Sequence, residues 1–292
     1  MGRAAAAWLR VSDTPEELLD LAVEAARLAG GLLRERVAEG AERAVASKST
    51  PTDLVSEADL AAERAIRELL AARRPSDGFL GEEGGGASGS SGLTWVVDPL
   101  DGTVNFLFGI PQWSVSVAVR DERGSTLAGA IYDPNREELF TATREGPARL
   151  SSPDGSGRVL LYAEGAGERA RRGGDHDDAG AALATAMIAT GLAYGADVRA
   201  EQAKVLARLI PRVRDLRRFG SAALDLAWTA AGRYDAYFER SVKPWDIAAG
   251  ALICERAGLG VHELPESGIL PWGIAVAPAA LAGVLLELVR GG

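Results

Sequence analysis

The sequence has few of the residues that build disulfide frameworks or zinc sites. It contains one cysteine, Cys254, and two histidines, His176 and His262. A single cysteine excludes an internal disulfide and is typical of proteins from a reducing compartment, so we expect a cytoplasmic location. With one thiol and two imidazoles, a zinc site of the usual kind is not expected either.

Long apolar runs are also missing. No segment reaches the roughly 20 apolar residues that a membrane-spanning helix requires. The run at residues 4–9, preceded by Arg3 alone, is too short and too weakly apolar to predict a signal peptide. The sequence therefore predicts no membrane partner.

An excess of positive charge is the third absence. The chain has 32 Lys and Arg against 41 Asp and Glu, a formal net charge of −9. Binding to a nucleic-acid backbone needs clustered cations, so a nucleic-acid partner is not expected. The basic run at residues 212–218 is the exception, and we interpret it as a solvated face or a subunit contact.

The apolar pattern predicts mixed α and β structure. Thr14, Pro15 and Glu17 have a capping-box pattern that starts a long helix, and a second helix starts within residues 56–59. Strands are predicted for residues 95–98, 114–120, 127–132 and 138–143, in an antiparallel-leaning sheet under those helices. Later strands are predicted near 159–162, 234–239, 260–264 and 273–277, and later helices over 199–210, 221–231 and 279–289 and after Trp245.

The turn-rich residues 151–157 predict a junction between two halves. At 292 residues and 47% apolar content, the chain can bury one large core or two tightly packed ones. We expect an α+β subdomain in residues 1–150 and an α/β subdomain in residues 151–292. The charged, glycine-rich residues 168–178 are predicted to form a surface loop without a catalytic role.

The most informative motif follows the strand at residues 95–98. Asp98 and Asp101 flank a turn made by Pro99 and Gly102, at the carboxyl end of a strand, where α/β proteins place their chemistry. Two carboxylates held so close repel each other unless a cation lies between them. Taken alone, the motif fits a metal site or an acidic surface turn about equally well.

Two further acidic motifs favour the metal site. Glu82 and Glu83 end a short apolar run, and Asp246 stands near the start of an apolar helix. An Asp at that position also fits a simple helix cap. Carboxylate, carbonyl and water ligands suit Mg²⁺. The side chains of Glu82, Asp98, Asp101 and Asp246 carry four negative charges, so two Mg²⁺ would neutralise them and a third ion would leave a charge of +2.

In their order along the chain, residues 81–83, 98–103 and 245–250 resemble the inositol monophosphatase family of Mg²⁺-dependent, Li⁺-sensitive phosphatases. The resemblance covers residues 15–290 or nearly so. It implies a layered α/β/α/β/α sandwich, a homodimer, and hydrolysis of a small phosphate monoester by metal-activated water. The family usually has a threonine where Ser56 stands in this sequence, which is a minor departure because both residues carry a hydroxyl.

The resemblance also implies roles for individual residues. It assigns metal binding, with two principal Mg²⁺ ions and a weaker third beside Glu82, to the side chains of Glu82, Asp98, Asp101 and Asp246 and the carbonyl of Leu100. It assigns catalytic roles to Glu82, to Thr103, which would orient the attacking water, and to Asp53, which would accept its proton through Thr103. The amides of Gly102 and Thr103 would bind phosphate. Lys48 either reaches the phosphate or a bound water, or is a plain surface lysine.

The substrate prediction rests on weaker signals. By resemblance, Ser221, Glu239 and Asp101 would hold the hydroxyls of a cyclitol, although Ser221 also fits a helix cap and Glu239 a surface position. Inositol-1-phosphate or a close polyol phosphate is the favoured substrate. The alternatives are fructose-1,6-bisphosphate, histidinol phosphate or 3′-phosphoadenosine phosphate, and, in another class, a regulatory or assembly protein that retains the fold.

Overall fold

A computed structural model describes residues 14–39, 45–47, 54–160, 162 and 179–290. The described helices are α1 Pro15–Ala38, α2 Glu57–Arg73, α3 Thr103–Leu107, α4 Ala179–Ala184, α5 Ala196–Leu209, α6 Ala222–Ala230, α7 Pro244–Arg256 and α8 Ala279–Val289, and a short 3₁₀ turn, Ile210–Arg212, follows α5. None of the described helices is both long and apolar enough to cross a membrane.

The described strands form two sheets and a separate pair. The pair is β1 Val45–Ser47 with β2 Leu54–Ser56. The larger sheet contains β3 Gly78–Gly81, β4 Gly85–Ala87, β5 Thr94–Asp101, β6 Ser114–Arg120, β7 Thr126–Asp133, β8 Glu138–Thr143, β9 Arg149–Ser151 and β10 Gly157–Val159. The smaller sheet contains β11 Met187–Thr190, β12 Asp215–Arg217, β13 Ala236–Arg240, β14 Gly260–Leu264 and β15 Gly273–Ala277.

Strand order in the larger sheet is β10-β9-β8-β7-β6-β5-β3-β4. Every neighbouring pair is antiparallel except β3 and β5, which run parallel. The predicted antiparallel-leaning sheet is therefore confirmed. The smaller sheet has the order β12-β11-β13-β15-β14, in which β11 runs parallel to both β12 and β13. The carboxyl end of β5, which carries the Asp98–Asp101 turn, thus lies inside the larger sheet and not at its edge.

Side chains of β5 alternate between two cores. Trp95 and Val97 face the core shared with α1 and α2, whereas Val96 faces the core shared with α6 and α7. The smaller sheet packs on the other side of α6 and α7, and its outer face is covered by residues of α5 and α8. This is the expected α/β/α/β/α layering, which the period-two alternation of each buried strand produces.

Small residues let the layers approach closely. A Cβ added to Gly129 on β7 would lie 2.8 Å from the Cα of Ala249 on α7, and one added to Gly250 would lie 2.6 Å from the Cβ of Leu226 on α6. Contacts that short are repulsive, so a larger residue at either position would force the layers apart. The small residues after Trp245 thus serve the close packing of α7.

Helix α1 begins as predicted. The amide of Glu17 donates to the Thr14 hydroxyl at 3.2 Å, and the Thr14 amide donates to the Glu17 carboxylate at 3.0 Å. These reciprocal bonds satisfy two donors that a helix start leaves unpaired.

Other boundaries differ from the predictions. The strand predicted near residues 159–162 ends at Val159, and β11, β12 and α3 were not predicted as such. The short β12 lies within the basic run at the edge of the smaller sheet, with residues exposed or half-buried, so it lacks a hydrophobic pattern. The loop predicted for residues 168–178 lies outside the described residues. The division of the chain at residue 150 stays a prediction.

Candidate active site

The turn at the end of β5 is held by a hydrogen bond between its backbone and one of its own side chains. The amide of Leu100 donates to the Asp98 carboxylate at 3.0 Å, and the pairing of β5 with β6 is irregular between Asp98 and Asp101. Gly102 follows with φ of +96°, and a Cβ there would lie 2.9 Å from the carbonyl oxygen of Gln112. Glycine is needed here because the backbone is left-handed and closely packed. The turn therefore presents Asp98 and Asp101 in a fixed arrangement.

Asp101 joins this turn to helix α6. Its carboxylate accepts hydrogen bonds from the Ser221 hydroxyl, from the Ala223 amide at 2.8 Å and from the Ala222 amide at 3.2 Å. Amides at a helix start carry partial positive charge and stabilise a carboxylate there. Ser221 was predicted to bind substrate, but its side chain is buried behind Asp101 and does not line the cavity.

The acidic motifs meet in one cavity of about 420 Å³. Its lining includes every residue predicted to bind metal and most of those predicted to bind substrate, which come from three separate stretches of the chain: Glu82, Asp98, Leu100, Asp101, Gly102, Thr103, Glu239 and Asp246. As placed, no three of the described carboxylate, histidine or cysteine side chains lie close enough together to share one metal ion. Sharing one ion among three of these carboxylates would require their side chains to move closer together.

The donor set nevertheless fits a divalent cation. Burial raises the pKa of Asp98 well above its usual range, and the negative charge of Glu82 adds to this effect. Burial likewise raises the pKa of Asp246 and brings that of Asp101 to about 6, although the bond from Ser221 opposes the increase. A cation in the cavity would offset the burial and mutual repulsion that disfavour the charged forms of these carboxyls.

Thr103 has an acceptor that the sequence did not reveal. Its hydroxyl lies 2.8 Å from a carboxylate oxygen of Asp59 and 3.0 Å from the Leu100 carbonyl oxygen, and it can donate to either. The predicted acceptor, Asp53, lies outside the described residues, as does Lys48. Asp59 is fully buried in the first turn of α2, in a stripe with Ala62 and Ile66. An aspartate at a core position of an amphipathic helix is the signal that could have identified it.

Glu63, also on α2, supports the Glu82 motif. Its carboxylate accepts the amides of Glu83 at 2.8 Å and Gly84 at 2.7 Å and forms an ion pair with Arg67 at 3.2 Å. Both oxygens are thus used to fix the turn that follows Glu82. This positioning role was also missed in the sequence.

Glu239 reaches the cavity from β13. Its carboxylate accepts a hydrogen bond from the Tyr237 hydroxyl at 2.9 Å, and burial raises its pKa to about 7. A Cβ on Gly191 would lie 1.9 Å from a Glu239 oxygen, so only glycine leaves room for this carboxylate. Glu239 is therefore a hydrogen-bond acceptor in the cavity lining and not a surface residue.

One residue of the basic run also lines the cavity. Arg218 was included in the segment interpreted as a solvated face or subunit contact, and its side chain is exposed but borders the cavity beside Gly220. Leu192, Tyr194 and Val198 also line the cavity. The cavity therefore combines acidic residues with apolar ones and with the cationic residues Arg218, Arg240 and Lys243.

Comparison with known proteins gives a consistent result. A model of the inositol monophosphatase family matches residues 14–290. The chain is 40% identical over 295 residues to the inositol-1-monophosphatase SuhB of Mycobacterium tuberculosis, covering 96% of each chain, and 38% identical over 279 residues to the Nus factor SuhB of Pasteurella multocida, covering 93% of this chain and 95% of the relative.

Solved structures share the architecture. Mycobacterium tuberculosis SuhB superposes with a TM-score of 0.76 at 36% identity, covering 96% of this chain and 98% of its own. An inositol monophosphatase (IMPase) of Thermotoga maritima superposes with a TM-score of 0.75 at 27% identity, covering 94% of this chain and 97% of its own.

Proposed function

This chain belongs to the inositol monophosphatase family, and from that premise we propose a specific reaction for it. It is a cytoplasmic, Mg²⁺-dependent phosphomonoesterase that hydrolyses inositol-1-phosphate, or a similar polyol phosphate, to the free alcohol and phosphate. The observation that carries this proposal is the meeting of four acidic side chains and Glu239 in one cavity. The acidic end suits metal and phosphate, and Glu239 suits a hydroxyl of the alcohol.

The residues proposed to hold Mg²⁺ are Glu82, Asp98, Asp101 and Asp246, with the carbonyl of Leu100. When bound, two or three ions would neutralise these carboxylates, attract the phosphate and lower the pKa of the attacking water. Lithium inhibition is proposed with this ion set, on family membership alone. The raised pKa values of Asp98, Asp101 and Asp246 support the set, because burial and the neighbouring carboxylates disfavour their charged forms and a bound cation would offset both effects.

The protein's own contribution is positioning. Thr103 orients the attacking water through its hydroxyl, and Asp59 accepts the proton that Thr103 passes on, the role first predicted for Asp53. The 2.8 Å bond between the Thr103 hydroxyl and Asp59 supports this assignment. The amides of Gly102 and Thr103 hold the phosphate, which leaves little covalent work for the protein in phosphoryl transfer.

We also propose that the enzyme is a homodimer. Phe108, Ile110 and Phe219 are 71%, 48% and 40% exposed. They are close in space because Asn105 accepts the Ile110 amide at 2.8 Å through its backbone and donates to the Phe219 carbonyl at 2.6 Å through its side chain. An exposed apolar group of this kind is typical of a contact between subunits. Light scattering of the wild-type protein and of Phe108→Ser tests it, with loss of the dimer expected for the variant.

Phosphate release from a panel of esters tests the reaction. The panel contains inositol-1-phosphate, fructose-1,6-bisphosphate, histidinol phosphate and 3′-phosphoadenosine phosphate, each with Mg²⁺ and with a chelator. We expect Mg²⁺-dependent release, fastest from inositol-1-phosphate. Preference for another ester would reassign the substrate within the family. No release from any ester would favour the alternative of a regulatory or assembly protein that retains the fold; some relatives are named Nus factor SuhB.

A further inference from the structure

The side chain of Arg218 lies against Gly220, at the active-site cavity. Gly220 has φ of +83°, and a Cβ built there would lie 2.7 Å from a terminal nitrogen of the Arg218 guanidinium. The guanidinium therefore occupies the space that a side chain at residue 220 would fill, directly before the start of α6. From there it lines the same cavity as Asp101 and Glu239.

Among the residues that the structure describes, none accepts a hydrogen bond from Arg218. Neighbouring arginines have carboxylate partners: Arg217 pairs with Asp215, and Arg233 pairs with Glu138. Within the described residues, the Arg218 guanidinium has neither an ion pair nor a hydrogen bond. Its positive charge lowers the pKa of Glu239, which lines the same cavity, although burial raises that pKa by more. A guanidinium has five N–H donors, so several remain for a ligand.

The two groups together fit an uncharged polyol. A hydroxyl can donate to the Glu239 carboxylate while a neighbouring hydroxyl accepts from Arg218, which satisfies both groups. A second phosphate at this end would be drawn to Arg218 but repelled by Glu239 and by Asp101. The charge of this end of the cavity therefore distinguishes a polyol monophosphate from a bisphosphate.

We propose that Arg218 is a specificity-determining residue that, together with Glu239, binds adjacent hydroxyls of the leaving alcohol and so selects uncharged polyol phosphates over bisphosphates. The proposal rests on the proposed phosphatase function and extends it to the chemical class of the alcohol. It assigns a ligand to a residue whose sequence context indicates only a basic surface.

Steady-state kinetics of the full chain with Arg218→Met tests this directly. The substrates are inositol-1-phosphate, fructose-1,6-bisphosphate and p-nitrophenyl phosphate, which has no hydroxyls on its leaving group. We expect KM for inositol-1-phosphate to rise about tenfold with kcat within about twofold, as for loss of one partly exposed charge-assisted hydrogen bond. The constants for p-nitrophenyl phosphate should stay unchanged.

Two further variants sharpen the result. Arg212→Met removes an equal charge from the same basic run, at a residue that does not line the cavity. It should leave kcat and KM for all three substrates unchanged. Arg218→Lys keeps the charge without the planar donor array and should give an intermediate KM for inositol-1-phosphate. Calorimetry measures binding of inositol-1-phosphate directly, with Ca²⁺ in place of Mg²⁺ to stop turnover. Affinity should fall in the order wild type, Arg218→Lys, Arg218→Met.

Several outcomes would overturn the proposal. If Arg218→Met changed the KM for inositol-1-phosphate and the KM for p-nitrophenyl phosphate equally, Arg218 would support the site as a whole. A larger rise in KM for fructose-1,6-bisphosphate would mean that it binds a second phosphate. No change in KM or in calorimetric affinity would make it a bystander, while wild-type turnover would still support the proposed function. Failure of the wild-type protein to release phosphate from any ester would instead reject that function.

Discussion

The hydroxyl of Thr103 lies 2.8 Å from the carboxylate of Asp59, although the two residues are 44 positions apart in the sequence. The contact joins the start of α3, directly after the acidic turn, to the first turn of α2. Both side chains are buried, so the geometry is set by packing and not by solvent. A hydroxyl held in this way can fix the position of a water molecule, and the carboxylate can take up the proton.

Replacing Asp59 with Asn should therefore lower kcat while leaving the fold intact. The amide has nearly the same shape but is a far weaker base, so we expect a loss of about 10²- to 10⁴-fold, the usual range for general-base catalysis. The measurement is Mg²⁺-saturated turnover of p-nitrophenyl phosphate, which is independent of polyol recognition. Thr103→Ser, which retains the hydroxyl, serves as the control, and its kcat should fall much less than that of Asp59→Asn. Near-normal turnover of Asp59→Asn would contradict the proton-acceptor role.

Removal of divalent ions should abolish turnover, and Mg²⁺ should restore it. Asp98→Asn should need far more Mg²⁺ for half-maximal activity, whereas the exposed Glu122→Gln should not.

Burial raises the pKa of Asp98 and Asp246, so protons compete with the metal more strongly as the pH falls. Apparent Mg²⁺ affinity should therefore be weaker at pH 6 than at pH 8. Isothermal titration with Mg²⁺ measures both effects, and pH-independent binding would argue against these ligands.

Recognition of the polyol should depend on pH through Glu239. Burial raises the pKa of this carboxyl to about 7, so below that pH it is protonated and is a poorer acceptor of a hydroxyl. The ratio of kcat/KM for inositol-1-phosphate to that for p-nitrophenyl phosphate should rise as the pH increases through about 7. In Glu239→Gln the ratio should lie about one to two orders of magnitude lower and be flat with pH. A sloping ratio in the variant would assign the titration to another group.

The sequence predicted those parts of the fold that depend on local patterns. The cap at Thr14 was found because a capping box is contiguous, and β5 was found because its apolar run ends at proline and glycine. The three acidic motifs identified the cavity because each of them is unusual as a string of residues. The layered order of the sheets came from the resemblance, since periodicity alone does not fix which elements stack.

What the sequence did not provide are contacts between distant elements. Asp59 was not identified because spacing along the chain does not say that it faces Thr103. Arg218 was grouped with its basic neighbours because a run of charges does not show that one member turns back over Gly220. Both residues are positioned by tertiary packing, which has no signature at the level of a short motif.

The last prediction concerns two neighbouring glycines in α1. A Cβ on Gly30 would lie 2.5 Å from the ring of Tyr132 and 2.9 Å from Pro134, whereas one on Gly31 would meet nothing within 4 Å. Gly30→Ala should therefore lower the free energy of unfolding by about 1–3 kcal/mol through overpacking against β7. Gly31→Ala should raise it by about 0.5–1 kcal/mol, because alanine favours a helix more than glycine does. Urea denaturation of the two variants and the wild-type protein measures both changes. Stabilisation by both substitutions would mean that α1 can move away from the sheet at little cost, and that its close contact with Tyr132 is not required by the fold.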